Sequence, residues 1–182
     1  MVRGRPRVTG VLLVGGASRR FGSPKALARI RGETLAERAY RLLEETFGDV
    51  LAVGKAVDAL PLPFRVHDDG SDVRAPVVGL AAGLRLAAED LCVFLPTDMP
   101  RVTPALLRSL AEAADGVQAA VPQTGPLPGA YRRSALPVLE RRIAAGDLAL
   151  RDALAELRAR VIELDAGELV NVNAPDDLRP SS

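Results

Sequence analysis

Apolar residues alternate along the chain between two patterns. Short continuous runs, typical of strands buried on both faces, cover residues 8–14, 49–53, 65–67, 91–95, 117–121, 160–164 and 169–172. Segments with helical spacing lie between and after them, at residues 35–47, 76–88, 105–114, 134–145 and 148–158. This alternation predicts an α/β fold, with a mainly parallel sheet covered by helices on both faces. No repeat or linker interrupts it, so we expect a single domain over residues 1–182.

Local signals support several of these helices. Thr34 and Glu37 have the spacing of a capping box at the start of the first one. Thr103 before a proline is typical of another helix start. Gly79 and Gly83 lie four residues apart on one face of the second helix, where we expect them to allow close packing rather than to break it.

Composition excludes several classes of protein. The formal net charge is +1, and the aromatic residues are two Tyr and four Phe without Trp, which argues against a nucleic-acid partner. One Cys and one His allow neither an internal disulfide nor a zinc site of the usual kind. No segment has the length of a signal peptide or a membrane span, so we expect a cytoplasmic protein without membrane contact.

The first apolar run ends in a glycine-rich, basic loop that is suited to a phosphate. It reads Leu-x-Gly-Gly-x-x-x-Arg-x-Gly-x-x-Lys over residues 13–25. Backbone N–H groups can approach an anion closely where no Cβ intervenes, and the basic side chains add positive charge. Pro24 and Ala26 on either side of Lys25 exclude a Walker loop, and Gly15-Gly16 lacks the spacing of a dinucleotide fingerprint. Lys25 is one of only two lysines, which favours a function for it.

Acidic residues follow two other predicted strands. Asp98 comes three residues after the run at 91–95, and Asp68 and Asp69 follow residues 65–67. In a parallel sheet the ligand crevice lies outside the carboxyl ends of the strands, so we expect these carboxylates to face the glycine loop. Mg²⁺ binds through one or two carboxylates plus phosphate oxygens, which makes Asp98 a candidate ligand for a metal-bound nucleoside triphosphate.

Five ordered motifs carry a resemblance to a known family. They are the loop at residues 13–25, Ala-Pro-Val-Val-Gly-Leu at 75–80, Thr-Asp-Met-Pro at 97–100, Gly-Pro-Leu-x-x-Ala-Tyr at 125–131 and Asn-Val-Asn-Ala-Pro-x-Asp-Leu at 171–178. The series resembles the molybdenum cofactor guanylyltransferases over nearly the whole chain. The resemblance implies a Rossmann-like, three-layer nucleotidyltransferase fold. It also implies Mg²⁺-dependent transfer of GMP from GTP to molybdopterin with release of pyrophosphate, in contact with other proteins of molybdenum cofactor biosynthesis.

The resemblance also implies roles for individual residues. The nucleotide would be held by Leu13, Val14, Gly15, Gly16, Lys25, Gly79, Asp98 and one of Asp68 or Asp69. Lys25, Asp98 and Arg20 would form the catalytic set, with Asp98 as the metal ligand. The acceptor would meet Arg19, Asn171, Asn173 and Tyr131, although a packing role for Tyr131 is an equal alternative.

Three departures from the family pattern leave alternatives open. Pro24 replaces the usual acidic residue, residues 75–79 replace Gly-Pro-Leu-Ala-Gly, and the asparagine expected after the second strand is absent near residues 53–55. A cytidylyltransferase acting on the same pterin is the nearest alternative, although Gly15-Gly16 and the Asp-Met-Pro motif favour guanine. A sugar-phosphate or lipid-precursor nucleotidyltransferase and a non-catalytic nucleotide-binding module are the others.

Overall fold

The computed structural model describes residues 6–15, 24–173 and 177. Within them, seven strands form one sheet and two short strands form a hairpin. The strands are β1 (Val8–Val14), β2 (Arg29–Ile30), β3 (Glu33–Thr34), β4 (Asp49–Gly54), β5 (Val66–Asp68), β6 (Leu91–Pro96), β7 (Ala119–Pro122), β8 (Gly129–Arg132) and β9 (Arg160–Ile162). The helices are α1 (Leu35–Phe47), α2 (Pro76–Leu86), α3 (Pro104–Ala113), α4 (Leu136–Ala144) and α5 (Leu150–Glu156).

The sheet order is β5-β4-β1-β6-β8-β7-β9. Neighbouring strands run parallel except β8, which is antiparallel to both β6 and β7. Buried residues form one apolar cluster on each face, under α1 and α3 on one side and under α2, α4 and α5 on the other. The prediction of a mainly parallel sheet between two layers of helices is confirmed.

The local signals predicted from the sequence are present in the structure. The Thr34 hydroxyl accepts a hydrogen bond from the Glu37 backbone N–H at 3.1 Å, and the Glu37 carboxylate accepts one from the Thr34 N–H at 2.9 Å. The Thr34 hydroxyl also donates to the Glu37 carboxylate at 2.6 Å, and because this bond and the one from the Thr34 N–H favour the charged form, the pKa of Glu37 is lowered. In α2, a Cβ on Gly83 would lie 2.6 Å from the Phe94 ring, so the glycine allows this helix to pack closely on β6.

Two parts of the chain differ from prediction. Residues 129–132 form the antiparallel strand β8, which the sequence pattern does not distinguish from a loop. Residues 169–172 are not a strand, and that expectation is wrong. Leu169 closes a turn by donating its N–H to the Ala166 carbonyl, and Val172 donates to the Asp98 carbonyl at 2.8 Å. Both side chains are buried, so apolar packing rather than strand pairing explains the apolar pattern.

No helix in the described part of the chain combines the length and apolar character needed to cross a membrane.

Candidate nucleotide-binding site

A cleft of about 320 Å³ opens at the carboxyl ends of β1 and β4. Its lining is mostly apolar and comes from the ends of these strands, the segment before α2, and the neighbouring loops. The lining residues are Leu13, Val14, Gly15, Val53, Gly54, Lys55, Asp69, Arg74, Ala75, Pro76, Gly79, Pro96 and Leu127. An apolar cleft with few polar groups suits a flat heterocyclic base.

Two glycines shape this cleft by allowing close approach. A Cβ on Gly54 would lie 2.3 Å from the Val14 carbonyl oxygen, which no side chain can tolerate. A Cβ on Gly79 would lie 3.0 Å from the Leu13 side chain. The first turn of α2 therefore comes close to the end of β1, as the sequence predicted for this helix.

Lys25 and Asp98 meet beside the cleft. The Lys25 Nζ atom lies 3.1 Å from the Asp98 Oδ2 atom, with the two side chains 13% and 24% exposed. Lys25 begins a short 3₁₀ turn after Pro24, while Asp98 follows β6. In the sheet, Leu13 pairs with Pro96, which explains why these two segments share one edge. The prediction that the basic loop and Asp98 come together is confirmed for Lys25.

The two candidate aspartates after β5 lie in different environments. Asp68 is exposed and accepts hydrogen bonds from the backbone N–H groups of Ala56 and Gly70, both at 2.7 Å. These bonds lower the pKa of the Asp68 carboxyl, and the residue is not part of the cleft lining. Asp69 is buried, lines the cleft and pairs with Lys55 at 2.7 Å. Of the two, Asp69 is placed to meet a bound nucleoside.

The other predicted site residues lie either outside the described part of the chain or in the segment next to Asp98. Gly16, Arg19 and Arg20 lie outside the described residues. Asn171 and Asn173 are exposed and flank Val172, whose N–H donates to the Asp98 carbonyl, so their segment lies next to Asp98.

Of the two alternatives for Tyr131, the structure supports the packing role. Its side chain is fully buried and its hydroxyl donates to the Pro126 carbonyl at 2.7 Å. Its ring packs edge-on against Phe94. Burial raises the pKa of this hydroxyl, and Tyr131 stabilises the core instead.

The carboxylates fit a particular kind of magnesium site. In the described residues, no group of three or more His, Cys, Asp or Glu could form a protein-only metal cage. A single aspartate next to a phosphate-binding region matches Mg²⁺, which keeps few protein ligands and takes the rest from phosphate and water. Asp98, partly exposed at the end of β6, meets that requirement.

Sequence reasoning missed Lys55. This lysine lies in residues 53–55, the stretch near which the family's asparagine is absent, and its Nζ atom donates to Asp69 and to two backbone carbonyls. The available signal was composition, since Lys55 is the second of only two lysines and directly follows a predicted strand.

The fold and this edge of the sheet define an α/β nucleotidyltransferase: a lysine and an aspartate meet at the edge of the sheet where an apolar cleft opens. The family model for the MobA-like NTP transferase domain matches residues 10–161. A probable molybdenum cofactor guanylyltransferase from Chloroflexus aggregans is 34% identical over 191 residues, covering 94% of this chain and 92% of that protein. The chain therefore belongs to the MobA-like NTP transferase family, and its sequence relatives are molybdenum cofactor guanylyltransferases.

Solved structures agree with this assignment. Molybdopterin-guanine dinucleotide biosynthesis protein A from Archaeoglobus fulgidus has a TM-score of 0.78 and 26% identity, covering 93% of this chain and 94% of that one. The 2-C-methyl-D-erythritol 4-phosphate cytidylyltransferase from Thermus thermophilus shares the fold, with a TM-score of 0.70 at 20% identity over 92% of this chain and 94% of that one. The resemblance read from the five motifs is confirmed.

Proposed function

We propose that this enzyme transfers GMP from GTP to molybdopterin in the cytoplasm and releases pyrophosphate. The observation that carries the proposal is the Lys25–Asp98 pair, 3.1 Å apart, at the same edge of the sheet as the apolar cleft. The guanine nucleoside occupies the cleft, and the triphosphate extends towards the pair. The names of the sequence relatives support GTP and molybdopterin as the substrates.

In this reaction a terminal phosphate oxygen of molybdopterin attacks the α-phosphorus of GTP. The bond between that phosphorus and the oxygen bridging to the β-phosphate breaks, and pyrophosphate departs with the electron pair. The attacking phosphate has a second pKa of about 6 and is mostly ionised at neutral pH, so the chain need not supply a general base.

The obstacle is repulsion between two anions, which cationic groups reduce. Lys25 lies where it can bind the triphosphate while its charge compensates Asp98 in the free protein. Asp98 would hold Mg²⁺, which when bound neutralises charge on the phosphates. The backbone of Leu13, Val14 and Gly15 borders the space left for the nucleotide.

The test is incubation of the protein with molybdopterin and each Mg²⁺–nucleoside triphosphate in turn, with mass detection of the dinucleotide. We expect the guanine dinucleotide and an equal amount of pyrophosphate from GTP. Formation of the cytosine dinucleotide from CTP instead would assign the sister activity. Nucleotide binding without any dinucleotide in a single turnover would indicate a binding module.

A further inference from the structure

Lys55 occupies an unusual position in the wall of the cleft. It follows β4 directly, and its side chain is only 9% exposed. The Nζ atom donates to Asp69 Oδ1 at 2.7 Å, to the Ser71 carbonyl at 2.5 Å and to the Val73 carbonyl at 2.6 Å. A lysine ammonium has three N–H donors and no acceptor, so these three oxygens use its full capacity.

These three hydrogen bonds limit the roles that Lys55 can have. An ammonium with all donors engaged has none left for a phosphate, so Lys55 is not a second phosphate-binding lysine. Its hydrogen bonds connect the end of β4 to residues 69–73, which lead to the first turn of α2. An ion pair holds the next residue at the surface: the Arg74 guanidinium pairs with both carboxylate oxygens of Asp58.

The same contacts fix the orientation of Asp69. Its Oδ1 atom accepts from Lys55 and from the Ser71 N–H at 3.1 Å, and its own N–H donates to the Gly54 carbonyl at 2.9 Å. Its Oδ2 atom accepts no hydrogen bond from any described residue, although Asp69 lines the cleft. One carboxylate oxygen is thus committed to the protein, and the other is left to accept from a ligand.

Charge gives the pair a second effect. An uncompensated carboxylate in the wall of the cleft would be costly, because the Asp69 side chain is only 6% exposed. The Lys55 ammonium compensates that charge at 2.7 Å without removing the acceptor oxygen. Asp69 can then accept from an N–H or O–H group of the nucleoside through its remaining carboxylate oxygen.

We propose that Lys55 is a positioning residue for the nucleoside: it acts through Asp69 and residues 71–73, and it determines affinity for the nucleoside end of the nucleotide rather than for the phosphates. The proposal rests on the proposed function, in which the cleft holds the nucleoside.

The experiment compares Lys55→Met with Arg65→Met, a matched change at an exposed residue just before β5 that is not part of the cleft lining. Calorimetry measures binding of two ligands, Mg²⁺–pyrophosphate and the Mg²⁺–nucleoside triphosphate that the unsubstituted protein binds most tightly. We expect Lys55→Met to weaken triphosphate binding about 10- to 100-fold, because a charged hydrogen-bonding partner of Asp69 is lost. Pyrophosphate affinity and kcat at saturating nucleotide should change by no more than about threefold, as should every value for Arg65→Met.

A double-mutant cycle tests whether Lys55 acts through Asp69. Adding Lys55→Met to Asp69→Asn should weaken nucleotide binding much less than Lys55→Met does alone, because the partner is already changed. Thermal unfolding of each variant shows that it is folded at the assay temperature. Lys55→Gln, which keeps N–H donors for the carbonyls, replaces Lys55→Met if the apolar variant is unfolded.

Three results would overturn the proposal. Equal weakening of triphosphate and pyrophosphate binding would show that Lys55 acts on the phosphates or on the whole fold. Unchanged triphosphate affinity would show that Lys55 has no role in binding. Additive effects in the cycle would show that Lys55 does not act through Asp69. The binding measurements need no acceptor. Failure of the unsubstituted protein to make a dinucleotide would therefore contradict the proposed function and leave this test intact.

Discussion

Replacing Asp98 with asparagine separates its role in turnover from its role in folding. Asparagine keeps the size of the side chain and removes the charge. The backbone carbonyl of residue 98, which accepts from the Val172 N–H at 2.8 Å, is unaffected. The change therefore tests the carboxylate, and through it the Lys25 partner at 3.1 Å.

The two expected magnitudes differ enough to be distinguished. In the free protein the pair is partly exposed, at 13% and 24%, and an ion pair of this kind contributes about 1 kcal/mol or less. Loss of a preorganised electrostatic group in a transition state costs about 10²- to 10³-fold in kcat, which corresponds to about 3–4 kcal/mol. We therefore expect Asp98→Asn to lower kcat by that factor while changing the free energy of unfolding by no more than about 1 kcal/mol.

The assay is steady-state release of pyrophosphate with saturating Mg²⁺–GTP and molybdopterin, with urea unfolding of the same preparations. Asp152→Asn is the matched control, because Asp152 is exposed on α5, away from the cleft lining, and the same charge is removed. It should leave both quantities close to those of the unsubstituted protein. Asp98→Asn with near-normal pyrophosphate release would refute the assignment of the carboxylate to turnover.

Combining Asp98→Asn with Lys25→Met extends the test to the pair. If both groups act on one triphosphate, the double variant should lose much less than the product of the two single losses, because residues that act as a unit are strongly non-additive. Strictly multiplicative losses would mean that the two side chains act at separate sites, despite their contact in the free protein.

Three further predictions concern stability, its dependence on pH and the reactivity of a buried thiol. Gly54→Ala should lower the free energy of unfolding by about 1–3 kcal/mol in urea titrations, because its Cβ would lie 2.3 Å from the Val14 carbonyl oxygen; unchanged stability would contradict that packing. The pKa of Glu37 is lowered in the folded state by the Thr34 hydroxyl, so its contribution to stability is present at neutral pH, begins to fall near the ordinary value of 4.5 and is lost as pH falls through the lowered folded pKa. The Glu37→Gln variant should therefore lose less stability than the unsubstituted protein between about pH 6 and pH 3, and parallel curves would contradict this. Burial raises the pKa of the Cys92 thiol to about 12, so a thiol reagent at about pH 8 should modify it only after unfolding; rapid modification of the native protein would show an accessible thiolate.

Most of the fold could be predicted because its signals are local. Continuous apolar runs mark the parallel strands, and the capping box at Thr34 and the proline after Thr103 mark helix starts within one residue. Strand β8 could not be predicted in this way, because it is only four residues long and its pairing with β6 joins residues as far apart in the sequence as Leu91 and Arg132. The buried Leu169 and Val172 were misread as a strand because apolar burial does not require a strand partner.

The candidate site could also be predicted only in part. Lys25 and Asp98 could be brought together from sequence because topology alone places the carboxyl ends of neighbouring parallel strands at one edge. Lys55 could not be assigned, because its role depends on the path of residues 69–73 back over the end of β4. The choice between Asp68 and Asp69 also needed side-chain directions, since one binds backbone N–H groups outside the cleft and the other lines it.

Pro24 shows how a departure from the family pattern is compatible with the site. The usual acidic residue before the lysine would place another negative charge next to Asp98 and an incoming triphosphate. Proline removes that charge and restricts the backbone, with φ of −54° and ψ of 125° at Pro24. Its carbonyl accepts from the Leu27 N–H at 2.9 Å, which starts the short turn that carries Lys25. The position of the lysine therefore depends on a covalent restraint and a backbone hydrogen bond, and neither requires an acidic side chain at residue 24.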